Sequence, residues 1–112
     1  MKTKHVLLLA VASFTLAGSP VLFAADVAEN WTKHCAACHG PDGKGKTKAG
    51  RMAGVKDQTA PAYQAALTDA KMFQSLKDGL KDGDKEKMKP FKDKLSDDEI
   101  KALVAQVRQL KK

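Results

Sequence analysis

Four apolar residues near the carboxyl end, Ile100, Leu103, Val104 and Val107, recur at the spacing that puts them on one helical face. Ser96 and Glu99 form a capping-box pair at the start of that helix, and Leu95 and Ile100 flank the cap as a hydrophobic staple. Val27, Trp31 and Cys35 make a similar stripe farther back, where Asp26, with Glu29 three residues on, can cap a first helix. In between, residues 61 to 67 read as a short helix with Pro61 in its first turn. Thr68 can cap another helix, running to about Gly79, on which Phe73, Leu76 and Leu80 share a face. Five glycines between positions 40 and 54, mixed with Lys44, Lys46, Lys48 and Arg51, predict a polar loop. The stretch DGLKDGDKEKMKPF, with two Asp-Gly pairs and a proline, predicts a second. β-Branched residues are sparse and no run alternates with period two, so no strand is expected. The pattern is that of an all-α fold built from three to five short helices.

The amino-terminal residues belong to a different class. Lys2 and Lys4 precede the apolar run VLLLAVASFTLAG, and SPVLFAAD then turns polar, the arrangement of a secretory signal peptide. Ser13, Thr15, Gly18 and Pro20 interrupt the run too often for a bilayer-spanning helix of ~20 residues. Residues 1–24 are therefore expected to be removed, with the cut after Ala24 or Ala25. Residues 25–112 remain as one domain with no membrane span. Without Lys2 and Lys4 the 20 basic residues fall to 18, against 13 acidic ones, a formal charge of +5. A domain this small is marginal on its own core and commonly needs a staple.

The staple is indicated by HCAACHGPDGKG, residues 34 to 45, which contains the only two cysteines. On a helix Cys35, Cys38 and His39 project from one side, and Gly40 and Pro41 stop the helix directly after them. A Cys35–Cys38 disulfide would close only a tiny loop and constrain little. A thioredoxin-like dithiol needs a strand-to-helix setting that is missing. A zinc site needs four ligands, and there is no second pair. Cys-x-x-Cys-His is the signature of covalent c-type haem, with two thioethers on the porphyrin and the histidine on iron. Export agrees with it, since such haem is attached outside the cytoplasm.

CAACHGPDGKGK resembles the haem-attachment segment of small bacterial mono-haem class I c-type cytochromes, and KMKPFKDKLSDDEIKALVAQVRQL is similar to their Met-loop and last helix. The likeness spans about residues 26 to 111 with both motifs in the family's order. It implies a cytochrome c fold wrapped around one covalently attached haem, and a protein that carries single electrons and is not an enzyme. It also implies that the last helix crosses the first near Trp31. Where some relatives carry a proline whose carbonyl orients the proximal histidine, this chain reads KAGRMAGV, leaving Ala49 or Gly50 to supply that carbonyl.

Iron then needs a sixth ligand. His34 is tied to the helical segment of His39 and does not reach the opposite haem face. A methionine thioether is the natural partner, since Met/His pairing is standard in such sites and raises the reduction potential. Met72 lies beside an apolar helix face and reads as core. Met52 lies in the first loop. Met88 lies in a loop two residues before Pro90, and its setting KMKPF is the family's ligand motif. Met88 is the expected distal ligand and Met52 its rival. With His39 and Met88 both bound, no iron position stays open for substrate. The reading is therefore a soluble periplasmic electron carrier. The alternatives are a haem subunit docked to a larger dehydrogenase or oxidase, and a ligand-binding or peroxidase-like haem protein. Lys33, Lys44, Lys46 and Lys48 lie near the attachment motif, and Lys85, Lys87, Lys89, Lys92 and Lys94 around Met88. Such a ring would steer acidic patches on other redox proteins into transient contact. The charges are not interleaved with stacking aromatics, so nucleic acid is not an expected partner.

Overall fold

The structure, a computed structural model, describes residues 10–13 and 21–111. Helix α1 spans Val21–His34 and α2 spans Ala36–His39, separated only by Cys35. The expected cap at Asp26 is overturned: α1 begins at Val21, so Asp26 and Glu29 lie inside it. VLFAA carries no helix breaker, and helix propagates through such a segment rather than restarting at a polar residue. The expected export segment, residues 1–24, otherwise lies mostly outside the described residues. Gly40 ends α2 at φ +78°, a conformation that glycine adopts without a Cβ penalty.

The glycine-rich stretch beyond is only partly loop. It holds α3, Lys48–Ala53, whose cap Thr47 accepts a hydrogen bond from the Gly50 N–H. Helix α4 spans Pro61–Ala66, with its proline in the first turn. Helix α5 spans Asp69–Asp78, with the Thr68 hydroxyl accepting from the Lys71 N–H. Both match their expected positions. The expectation of no strand does not hold. β1, Leu80–Asp82, pairs antiparallel with β2, Lys85–Met88. Gly83, at φ +58°, and Asp84 make the two-residue turn, but most of the hairpin is exposed, so no apolar alternation marks it. Leu80 therefore leaves the α5 face and is 47% exposed.

The last helix, α6, spans Asp97–Gln109 and has its full capping box. Six helices are thus described, one more than the upper expectation, because the short α2 and α3 count separately. The core gathers on α6, where Ile100, Leu103, Val104 and Val107 are all buried. Trp31, Cys35, Met72, Phe91 and Leu95 close over them. Two polar ties lock the frame. Asn30 on α1 donates to the Glu99 carboxylate at 2.9 Å. Arg108 on α6 donates to the Gln64 carbonyl at 2.6 Å and to the Asp69 carboxylate at 2.7 Å.

Candidate functional site

The attachment motif sits where α1 runs into α2. Cys35 accommodates the joint at φ −119°, yet the hydrogen bonds run on through it. Its N–H donates to the Trp31 carbonyl at 2.9 Å, and its own carbonyl accepts from the His39 N–H at 2.9 Å. The expected one-sided display of Cys35, Cys38 and His39 thus has continuous backbone support. Cys35 is buried, Cys38 is half-buried, and neither is in a disulfide. Burial pushes the Cys35 thiol up to about 11 and lowers His39 below the ordinary imidazole value. Both groups are therefore neutral at pH 7, and neutral imidazole is the form that ligates a metal. The Trp31 ring lies 6.1 Å from the His39 ring, and its indole N–H donates to the Gly40 carbonyl at 3.1 Å.

Met88 approaches from the other motif. It ends β2 opposite Leu80, half-buried, and packs against the core cluster that includes Cys35. Lys81 faces Glu86 and Leu80 faces Met88, so Lys87 is the extra residue of a bulge. A bulge of this kind bends a strand and re-aims the neighbouring side chain. Beyond it the chain is fastened to the end of α5: the Phe91 and Lys92 N–H groups donate to the Leu76 and Lys77 carbonyls at 3.0 and 3.2 Å. Phe91 then meets the ring of His34 edge-on at 5.6 Å, joining this segment to α1. Gly79 packs under it at φ +77°, where a Cβ would stand 2.6 Å from the Met88 carbonyl.

The other methionines part company. Met72 is buried in the core, as its helical position predicts. Met52, the rival ligand, is 76% exposed on α3 and does not belong to the core cluster. An open groove of about 470 Å³ between α5 and α6, lined in part by Phe73, Lys101 and Val104, shares no residue with HCAACHGPDGKG or with KMKPF. Two parts of the site were missed from the pattern of residues: the hairpin, whose signal was the turn at Gly83 and Asp84, and α3, whose signal was Thr47 as a cap.

Residues 23–106 match the family described as cytochrome c oxidase, cbb3-type, subunit III. The chain belongs to this cytochrome c family. A solved structure similar to it is the KustC0563 c-type cytochrome, at 36% identity and a TM-score of 0.70, covering 78% of this chain and 99% of that one. A tyrosine-to-phenylalanine variant of Kustc0563 aligns at 35% identity and a TM-score of 0.67, covering 77% and 99%. No curated protein sequence matches. The cytochrome c fold, the covalent haem c with its iron and the electron-transfer class follow from this membership. The residues of this cytochrome fit the group. Two unbonded thiols and a neutral histidine lie on one turn, and the buried Nδ1 of His39 has no hydrogen-bond partner among the described residues. No described helix is long and apolar enough to cross a membrane.

Proposed function

We propose that this cytochrome is an exported, soluble one-electron carrier. Its haem is joined through thioethers to Cys35 and Cys38, with His39 as proximal and Met88 as distal iron ligand. When bound, the haem iron supplies the Fe(II)/Fe(III) exchange. The packing of Met88 into the cluster that holds Cys35 is the observation that carries this reading. One protein ligand on each face leaves no place for a substrate, which favours a carrier over a ligand-binding or peroxidase-like protein. Cleavage after Ala24 or Ala25 delivers residues 25–112 to the periplasm. Oxidised and reduced absorption spectra of the exported protein test the ligands, and its intact mass tests the cleavage and the covalent haem. A sharp reduced α-band and a weak near-infrared Met–Fe(III) band are expected. A high-spin ferric spectrum overturns the distal assignment.

Partner docking is proposed at the Met88 end, through acidic patches and transiently. Across the hairpin Lys81 faces Glu86 and Lys85 faces Asp82, so these charges offset one another. Lys87, in the bulge, is paired with no residue of β1, and Lys89 lies past the end of β2. They are the charges free to steer an acidic redox partner. A second reading, a haem subunit held by a larger oxidase, is favoured by the description of the matching family. Haem staining of native complexes distinguishes it, since a carrier runs at its own small size.

A further inference from the structure

Three successive carbonyls at the end of the attachment motif each accept from a different quarter. The Cys38 carbonyl accepts from the Thr47 hydroxyl at 2.9 Å, the His39 carbonyl from the Gly45 N–H at 2.8 Å, and the Gly40 carbonyl from Trp31. Thr47 works in both directions, since the same oxygen accepts from the Gly50 N–H at 2.9 Å. A hydroxyl has one proton to give and lone pairs to receive, so this one hydroxyl caps α3 and fastens it to the motif. Among the described residues it is the only side-chain hydrogen bond joining these two segments. The approach is close enough that a Cβ on Gly50 would lie 2.2 Å from the Cys38 carbonyl oxygen and 2.7 Å from that of Gly45. No side chain fits there.

His39 meanwhile receives no aim through its own ring. A metal-ligating histidine usually donates its second ring N–H to a carbonyl or carboxylate, which fixes the ring and raises its basicity. Here Nδ1 is buried and has no such partner among the described residues. Neither Ala49 nor Gly50 supplies the expected carbonyl; the Gly50 carbonyl accepts from the Val55 N–H at 3.0 Å. We propose that Thr47 is the positioning residue for His39, holding the carbonyl one residue before it and setting the imidazole plane through the backbone instead of through Nδ1. The proposal rests on the reading of His39 as the proximal ligand.

The test uses the haem-loaded protein with Thr47 replaced in three ways. The haem-methyl shifts in the ferric proton NMR spectrum report the plane of the axial imidazole. Thr47→Ser keeps both hydrogen bonds, and the parent's shifts and potential are expected. Thr47→Val loses both; its shifts should rearrange, and its potential should fall as water reaches Nδ1 and strengthens the imidazole as a donor. Thr47→Asp still accepts from Gly50 but as a carboxylate has no proton for Cys38, so its shifts should rearrange while α3 stays capped. The Asp variant carries the test if the Val variant does not accumulate. Parent-like methyl shifts in both Val and Asp variants, with only a lowered melting temperature, reduce Thr47 to a helix cap and overturn the proposal. A low-spin spectrum that survives His39→Ala overturns the ligand reading and the proposal together.

Discussion

Three methionines of the described chain have the same side chain and three different surroundings. Met72 is in the core, Met52 in solvent, and Met88 half-buried against the core cluster. Only Met88 combines partial burial with a backbone fastened on both sides, so it alone is held in one place without filling the core. Met88→Ala should abolish the near-infrared band, lower the reduction potential and confer carbon monoxide binding, because the thioether favours Fe(II) over oxygen or nitrogen donors. Met52→Ala should leave all three unchanged. An unaltered band and potential in the Met88 variant would place the distal ligand elsewhere. The core position of Met72 was legible from its helical spacing, but the exposure of Met52 was not. Exposure depends on which side of α3 turns toward α2, and no local pattern records that.

Elements divide by whether their stabilising contacts are local. The α6 start is local, and the expected box is present: the Ser96 hydroxyl accepts from the Glu99 N–H at 3.2 Å, while the Ser96 N–H donates back to the Glu99 carboxylate at 3.1 Å. Ser96→Ala should cost about 1 kcal/mol in a denaturant melt. The Ser96 backbone N–H, then the Asn30 side chain, hold the Glu99 carboxyl below its ordinary range. Its folded value lies under its unfolded one. Glu99 therefore adds stability that is complete above about pH 4.3, the unfolded value, and is lost as pH falls through the lower folded value. Glu99→Gln should flatten that acid limb of the melting temperature against pH. The hairpin is the opposite case. Gly79 has a positive φ and lies against the backbone of residues 88–90. Gly79→Ala should strain the turn, displace Met88 and convert part of the ferric protein to high spin. A wholly low-spin spectrum would show that the hairpin tolerates the shift.

Across the whole molecule the apolar core is small. Among the described residues Ile100 and Leu103 are the largest fully enclosed side chains, and both belong to α6. A core of this size is expected to depend on its cofactor for much of its stability, since a group that binds only the folded state stabilises it. The double variant Cys35→Ala, Cys38→Ala, exported normally, should accumulate poorly and show little helical far-UV signal. A cooperative helical melt of haem-free protein would contradict this. Docking belongs to the same scale because it depends on summed charge. Electron transfer to an acidic partner should slow with rising salt, as screening shortens to about 8 Å at physiological ionic strength. Lys87→Glu with Lys89→Glu should lower the association rate with the haem spectrum intact, and Lys85→Glu should do so less because Asp82 already faces it.

By itself the sequence determined what depends on a few neighbouring residues: the helical spacing of Cys35, Cys38 and His39, the Thr68 and Ser96 caps, and the apolar face of α6. Each is a hydrogen bond or a periodicity contained within one or two helical turns. The start of α1 escaped because a good cap at Asp26 does not stop a helix already running through VLFAA. The hairpin escaped because exposed strands carry no apolar alternation. Tertiary structure alone decided the links between distant segments. Thr47 reaches the Cys38 carbonyl, and Phe91 brings the Met88 segment onto His34. Buried Gln64 donates to the carbonyls of Gln58 and Val107 while Arg108 closes over it from α6. Those contacts exist only after the chain has closed long loops, whose geometry is set by packing of the whole and not by the residues at either end.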